Sequence, residues 1–416
     1  MNIRLLCSIS RNQMLSYTMR VANLGLTLLW SLHTAATILQ NGQVRDDPYP
    51  GQAARITLDD SWRTYDANVE EISYKGRWDS QHVSWWSAPG IKVEFSGSQL
   101  AVSFGESTTD GVLVAYRVGS LDWQFSNVTA DSTYQFVGPE LELDDGLVKQ
   151  HKVFEMRVQI AGVSVAHNAS LQVPTKFDKK VEVIGGSLVS GQFATYETIS
   201  SWGYLFAAGL GNVEHTITAY PGACLVDLKC YNGDAHGMTW YWHRASDPGS
   251  RAHAFFGDEP EEFDNNAEQP ADLVVIQMGG NDHRHPNDIP GNEFYHAYVS
   301  LIEDIHSTWP HAVILIVSQW GEWVKEGLSY VPTQVYEEET KKVHEHFRDR
   351  GFVYYFEAKG ILQHNDINPK NHPTDVGHIK LASHLLQWTR LVMRWPLEPM
   401  GEVQHGTLYW NDQQDY

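Results

Sequence analysis

The second half of the chain constrains the fold most. From residue 180 it carries short continuous apolar runs, KKVEVIGGS, HTITAYPG, DLVVIQMGGND, AVILIVSQ and FVYYFEA. Helix-like stretches are expected between most of them: through Trp202 and Leu205 to about Leu210, around 292–309, over 332–350 and finally over 377–395. In the helix before Pro310, Tyr298, Leu301, Ile302, Ile305 and Trp309 fall on one stripe, the 3.6-residue period of a buried face. Buried strands alternating with amphipathic helices imply βαβ units, a parallel sheet and helices on both of its faces. Ligands of such sheets bind outside the carboxyl ends of the strands.

The first half has a different texture. Between about residues 54 and 175, short alternating segments such as IKVEFSG, QLAVSFG, VLVAYRVG and FEMRVQIAGVSV are separated by Gly, Ser, Asp and Asn. Short strands at regular spacing, without helical periodicity, predict an all-β sandwich or jelly roll. The expected organisation is therefore a β-sandwich accessory domain over 54–175, an α/β parallel-sheet domain over 180–396 and a tail over 397–416.

Residues 1–36 are set aside as a signal peptide. Arg11 and Arg20 precede the apolar run VANLGLTLLWSL, and Thr34, Ala35 and Ala36 come after it. A basic lead, a short apolar core and a small-residue exit describe a secretory signal, and the run is short for a membrane span. Met14 and Met19 are alternative starts, and a signal anchor is the rival reading. With 51 acidic against 30 basic side chains, the chain lacks the cationic excess that nucleic acid or anionic membrane surfaces select. Beyond the leader the only cysteines are Cys224 and Cys230, suited to a local disulfide in an oxidising compartment. Asn127-Val-Thr129 and Asn168-Ala-Ser170 are N-glycosylation sequons of the same context. The mature protein is expected to be secreted, with no membrane partner.

The residues just past each apolar run carry the chemistry. VEVI ends in Gly185-Gly186-Ser187, HTITAY in Pro221-Gly222-Ala223, and DLVVIQM in Gly279-Gly280-Asn281-Asp282. Asn371-His372-Pro373 precedes the last helix. A lone Ser before a helix is more often a cap, and a lone His is usually structural. Four such groups in chain order at one sheet edge assemble the parts of an acyl-transfer site.

This half resembles an SGNH (GDSL-type) hydrolase, whose four blocks carry Ser, Gly, Asn and His in this order. With a β-rich domain before it, the chain resembles most closely the two-domain acetyl esterases of carbohydrate esterase family 2, over roughly residues 55–395. The resemblance implies Ser187 as nucleophile and His372 as the base that takes its proton. It also implies an oxyanion hole built from the backbone N–H groups of Ser187 and Gly222 and the side-chain amide of Asn281.

Two positions depart from the family pattern. Gly186 stands where Asp usually precedes the nucleophile, and Pro369 stands three residues before the histidine, where the acid usually lies. Asp366, Asn371 or a backbone carbonyl is then expected to orient the ring; the family resembled includes members with a Ser–His dyad. Asp375, with D-x-x-H spacing to His378, is a further candidate, ranked second because His378 falls at a helix start.

The segment from Tyr231 to Asn266 is long for a βα connection, and long loops in compact domains are often functional. Its Trp240 and Trp242, and Trp320 and Trp323 after the AVILIVSQ run, are candidates for stacking on sugar rings, with Trp320 and Trp323 favoured. His283-x-His285 and His344-x-His346 lack recognised metal spacing, so neither metal nor cofactor is expected. The sequence thus predicts a secreted, cofactor-independent serine esterase acting on acetylated polysaccharide or oligosaccharide, acetyl xylan or glucomannan. The alternatives are a non-catalytic carbohydrate-binding protein on the same scaffold and a general or lipid carboxylesterase.

Overall fold

The computed structural model describes residues 39–40, 43–44, 52–119, 123–138, 148–153, 158–231, 235–368 and 370–397. The leader expected over 1–36, Pro369 and residues 398–416 lie outside the described residues. Tyr49–Tyr416 forms one compact unit; Met1–Pro48 is another, in which Leu39–Gln40 pairs antiparallel with Gln43–Val44. Among the described residues no helix is long and apolar enough to cross a membrane.

The strand-rich part is built from two antiparallel sheets. One has the strand order Ala54–Ile56, Ser132–Val137, Leu100–Phe104, Ile160–Ala166, Trp62–Asp66. The other joins Ile72–Trp78, Ser84–Phe95, Val148–Val153, Val112–Val118 and Gln124–Val128. Strand alternation explains their packing: Leu100, Val102 and Phe104 from the first sheet share one core with Val93, Phe95, Val112 and Val114 from the second.

The α/β part has the expected plan. Its parallel strands lie in the order Val353–Phe356, Val313–Val317, Leu273–Gln277, Lys179–Gly185, Val213–Ala219. Val181 and Val183 face a core containing Trp202, Phe206, Leu381 and Leu385, on the helices Trp202–Gly209 and Asp375–Trp388. Ile184, Val274 and Ile276 face the opposite core, filled by Phe294, Tyr298, Leu301, Ile302 and Ile305 of the helix Gly291–Thr308. The helical stripe read from the sequence is the buried face.

The order of these strands reverses direction at Lys179–Gly185, which lies between Val213–Ala219 and Leu273–Gln277, the next two parallel strands in the chain. That reversal is a topological switch point, where chains leave neighbouring strand ends in opposite directions and open a crevice. Ser187 comes after Lys179–Gly185, and Asn281 comes after its neighbour Leu273–Gln277.

Sequence alternation did not reveal how the two parts are sewn together. The strand Ser84–Phe95 is buried throughout. Its early residues join the edge of the parallel sheet, with Ile217 opposite Ser87, and its later ones belong to the sandwich. Positive φ at Trp86 (66°) and Ala88 (49°) bends it between the two. Arg77, fully buried, reinforces the junction by donating to the carbonyls of Trp242 (2.6 Å) and Arg244 (2.9 Å) and to Glu182 (3.2 Å). Losing one partner of such a buried pair leaves an uncompensated charge and typically costs about 3–5 kcal/mol.

Candidate active site

Gly185 and Gly186 set up the turn that presents Ser187. A Cβ on Gly185 would stand 2.1 Å from a Val189 methyl, so only glycine lets the strand double back so tightly. A Cβ on Gly186 would come within 3.2 Å of Asn281 Nδ2. The glycine at 186, where the resembled family carries Asp, keeps that approach open. Ser187 then begins the short helix Ser187–Ser190, and as its first residue its N–H has no acceptor within the turn.

The hydroxyl of Ser187 lies 2.8 Å from His372 Nε2, across 185 residues of sequence. On the far side of the ring, His372 Nδ1 is 2.7 Å from the carbonyl oxygen of Lys370. A carbonyl only accepts, so Nδ1 carries the proton and Nε2 presents its lone pair to the serine hydroxyl. The backbone thus does what a carboxylate does in the usual triad: it fixes tautomer and orientation. The local turn is closed by Asn371 N–H donating to Asn368 O (3.0 Å) and Asn368 N–H donating to His372 O (2.8 Å). Burial, chiefly, holds the His372 pKa below its ordinary value; the Lys370 carbonyl opposes that shift.

Of the three side-chain candidates for orienting the ring, the two carboxylates are engaged elsewhere. Asp366 pairs with Lys380 Nζ (2.8 Å) and accepts the Gln363 N–H (2.8 Å). Burial opposes its ionisation, but those partners outweigh it and hold its pKa low. Asp375 accepts the Thr195 N–H at 2.9 Å. Asn371 contributes a left-handed backbone, φ 61°, that shapes the turn. His378 is fully buried and its Nδ1 accepts the Trp202 N–H at 3.0 Å. Burial drives its pKa down to about 3. It is a structural imidazole on the core face of its helix.

Asn281 Nδ2 donates to Ala223 O at 2.8 Å, leaving the amide's second hydrogen for a ligand. Gly222, at φ 81°, precedes Ala223 in the turn closed by Ala223 N–H to Tyr220 O (3.2 Å). Ser187, Ala223, Asn281, Trp320, Asn371 and His372 all line one cleft at the switch point, together with Arg284 and Glu322. Arg284 binds Glu322 through Nε (3.0 Å) and Nη2 (2.6 Å). The sequence reading missed that pair and any role for Asp282, and although it offered a backbone carbonyl as a holder of the ring it did not name Lys370. The GGND block flagged Asp282 without a role, and a backbone acceptor has no residue signature.

The tryptophan candidates separate. Trp320 lines the cleft. Trp323 lies beyond it on the hairpin Trp323–Glu326/Ser329–Pro332, its ring 5.7 Å from His364. Trp242 is fully buried against Trp309. Trp240 stacks on the His236 ring at 4.2 Å, carries the Arg244 guanidinium at 4.1 Å and lies outside the cleft that contains Ser187. The long 231–266 connection packs against the sandwich side through Arg77 and Trp86, whose Nε1 donates to Ala245 O at 3.0 Å.

Cys224 and Cys230 are joined in a disulfide. Asn127 and Asn168 are exposed. His283 packs edge-on to Tyr336, and His285 pairs with Asp288 at 2.7 Å. Among the described residues no cluster of three or more potential ligands could hold a metal ion.

The serine and the tautomer-fixed imidazole at the switch point of the parallel sheet both fall within the stretch that a family model matches. Residues 183–379 match the GDSL-like lipase/acylhydrolase family. No curated protein matches the chain. The GDSL-type half and the strand-rich region before it share the fold of solved carbohydrate esterases of family two. An acetyl xylan esterase from the rumen bacterium Butyrivibrio proteoclasticus superimposes with a TM-score of 0.64 at 15% identity, over 80% of this chain and 99% of that one. A family two carbohydrate esterase from Cellvibrio japonicus gives 0.62 at 15% identity over 80% and 99%. One from Clostridium thermocellum, in complex with cellohexaose, gives 0.60 at 18% over 78% and 100%. The SGNH resemblance and the order of sandwich before α/β layer, both read from the sequence, agree with these matches.

Proposed function

We propose that the protein is a secreted serine esterase that removes acetyl groups from a cell-wall polysaccharide such as acetyl xylan or glucomannan. The observation that carries the reading is the 2.8 Å contact from Ser187 Oγ to an imidazole whose other nitrogen is tied to Lys370 O. In the first step Oγ bonds to the ester carbonyl carbon as its proton passes to His372 Nε2. The oxyanion is held by the N–H of Ser187, the N–H of Gly222 and the amide of Asn281. The bond to the sugar oxygen then breaks, and the imidazolium returns the proton to that oxygen. Water attacks the acyl-enzyme, giving a proton to His372, and acetate leaves as Ser187 recovers its hydrogen.

Acetate as the acyl group is supported by the fold shared with a solved acetyl xylan esterase. The carbohydrate class is supported by the shared fold with polysaccharide esterases, and secretion by the Cys224–Cys230 disulfide and the exposed sequons.

Hydrolysis of an aryl acetate by wild type and Ser187→Ala tests the reading. The expected loss is roughly 10⁴-fold or more. Equal rates would leave the non-catalytic carbohydrate-binding alternative. Across acetate, butyrate and octanoate esters the rate should fall with chain length; a rise would favour the lipid esterase.

A further inference from the structure

At the mouth of the cleft stands an aromatic side chain that neither the core nor the acyl-transfer step requires. Phe193 is 52% exposed. Its φ of 71° places a bulky residue in the left-handed region that glycine favours. Its ring stands 5.0 Å from the His372 ring and nearly perpendicular to it, at 87°. The loop is pinned on both sides of the ring: Gln192 N–H donates to Ser187 O at 3.1 Å, and Thr195 N–H to Asp375 Oδ1 at 2.9 Å. An aromatic ring held on a strained backbone and left in solvent is the kind of outlier that gathers at ligand clamps. Val376 and Ile379, a turn apart on the helix that begins with Asp375, are exposed as well.

The chemistry of the reaction decides which part of a substrate meets this ring. The acyl group occupies the cavity lined by Ser187, Asn281 and Trp320, and Phe193 is not part of that lining. His372 Nε2 must hand its proton to the leaving oxygen, so the leaving alcohol lies against the imidazole. Phe193 touches that imidazole from outside the acyl cavity, on the leaving-alcohol side. We propose that Phe193 is a specificity-determining residue, the platform for the apolar C–H face of the sugar ring that bears the scissile acetyl ester. The proposal rests on the esterase reading above and defines its leaving-group subsite.

The test compares two acetate esters, acetylated xylobiose and ethyl acetate, whose alcohol has no ring. The readout is the ratio of their kcat/KM values in wild type, Phe193→Ala and Phe193→Trp. Loss of one aromatic contact should lower the ratio roughly 2- to 10-fold in Phe193→Ala, mainly through KM for the sugar ester. Phe193→Trp should restore it. An unchanged ratio overturns the proposal, and so does an equal loss on both esters, which would mean that the ring only steadies His372. Ser187→Ala on ethyl acetate separates the two failures. If that variant is inactive while the ratio stays constant, only the platform falls; if it keeps wild-type activity, the esterase reading falls and takes the platform with it.

Discussion

Replacing Asp282 with Asn should remove a pH-dependent loss of stability that this carboxylate builds into the protein. Asp282 is fully buried beside Asn281, the proposed oxyanion donor. Its oxygens accept the Leu225 N–H (2.9 and 3.1 Å) and the Val226 N–H (3.0 Å), just past Ala223, whose carbonyl Asn281 holds. Burial is the dominant influence and raises its pKa from 3.8 to about 6, against the pull of those N–H groups. At about 1.4 kcal/mol per pKa unit, that rise of about two units corresponds to roughly 3 kcal/mol. The folded state holds the proton more tightly than the unfolded chain. The contribution of the group to stability is therefore complete below about pH 4 and is lost as the pH rises through about 6. Asparagine does not titrate, so the stability of Asp282→Asn relative to wild type should climb by roughly 3 kcal/mol between pH 4 and pH 7. Urea unfolding of both proteins at pH 4, 5, 6 and 7, at fixed ionic strength, measures this directly. Parallel stability curves, or a difference that shrinks with rising pH, would refute the reasoning.

The imidazole and its neighbours give two further expected outcomes. Because burial lowers the pKa of His372 below 6.5, the neutral base persists to lower pH, and the acid limb of kcat/KM for an aryl acetate should turn over below pH 6.5. An inflection above that value would contradict the buried, carbonyl-tied ring. Asp366→Asn should change kcat less than 10-fold, because Asp366 is tied to Lys380 and Gln363 and does not touch the imidazole. An orienting carboxylate would show a loss nearer 10⁴-fold.

Much of the site was legible because strand ends are marked in sequence. Glycines that end the apolar runs before Ser187, Ala223 and Asn281 are the residues that a sheet edge needs where backbones crowd, and they flagged three of the four blocks. His372 was legible by its place before the last helix. Asp366, Asn371 and Asp375 were reasonable partners by spacing, yet spacing along a turn does not say which side chain is already spent. Lys380, Gln363 and Thr195 claim the two carboxylates from other parts of the fold. The tryptophans divide for a similar reason. Trp240 and Trp242 look alike in sequence to Trp320, and only packing against His236, Arg244 and Trp309 holds them away from the cleft that contains Ser187.

By itself the sequence determined the two textures of the chain, the order of buried strands and helices, and the residue types brought to the sheet edge. These are local matters, set by side-chain periodicity and by what glycine permits. Tertiary structure alone decided that the strand Ser84–Phe95 would bend from one sheet into the other, and that the main-chain oxygen of Lys370 would be the one to hold the His372 ring. A backbone carbonyl is the same in every residue. Its use as a partner for His372 depends on where the turn points it, which no side-chain pattern records.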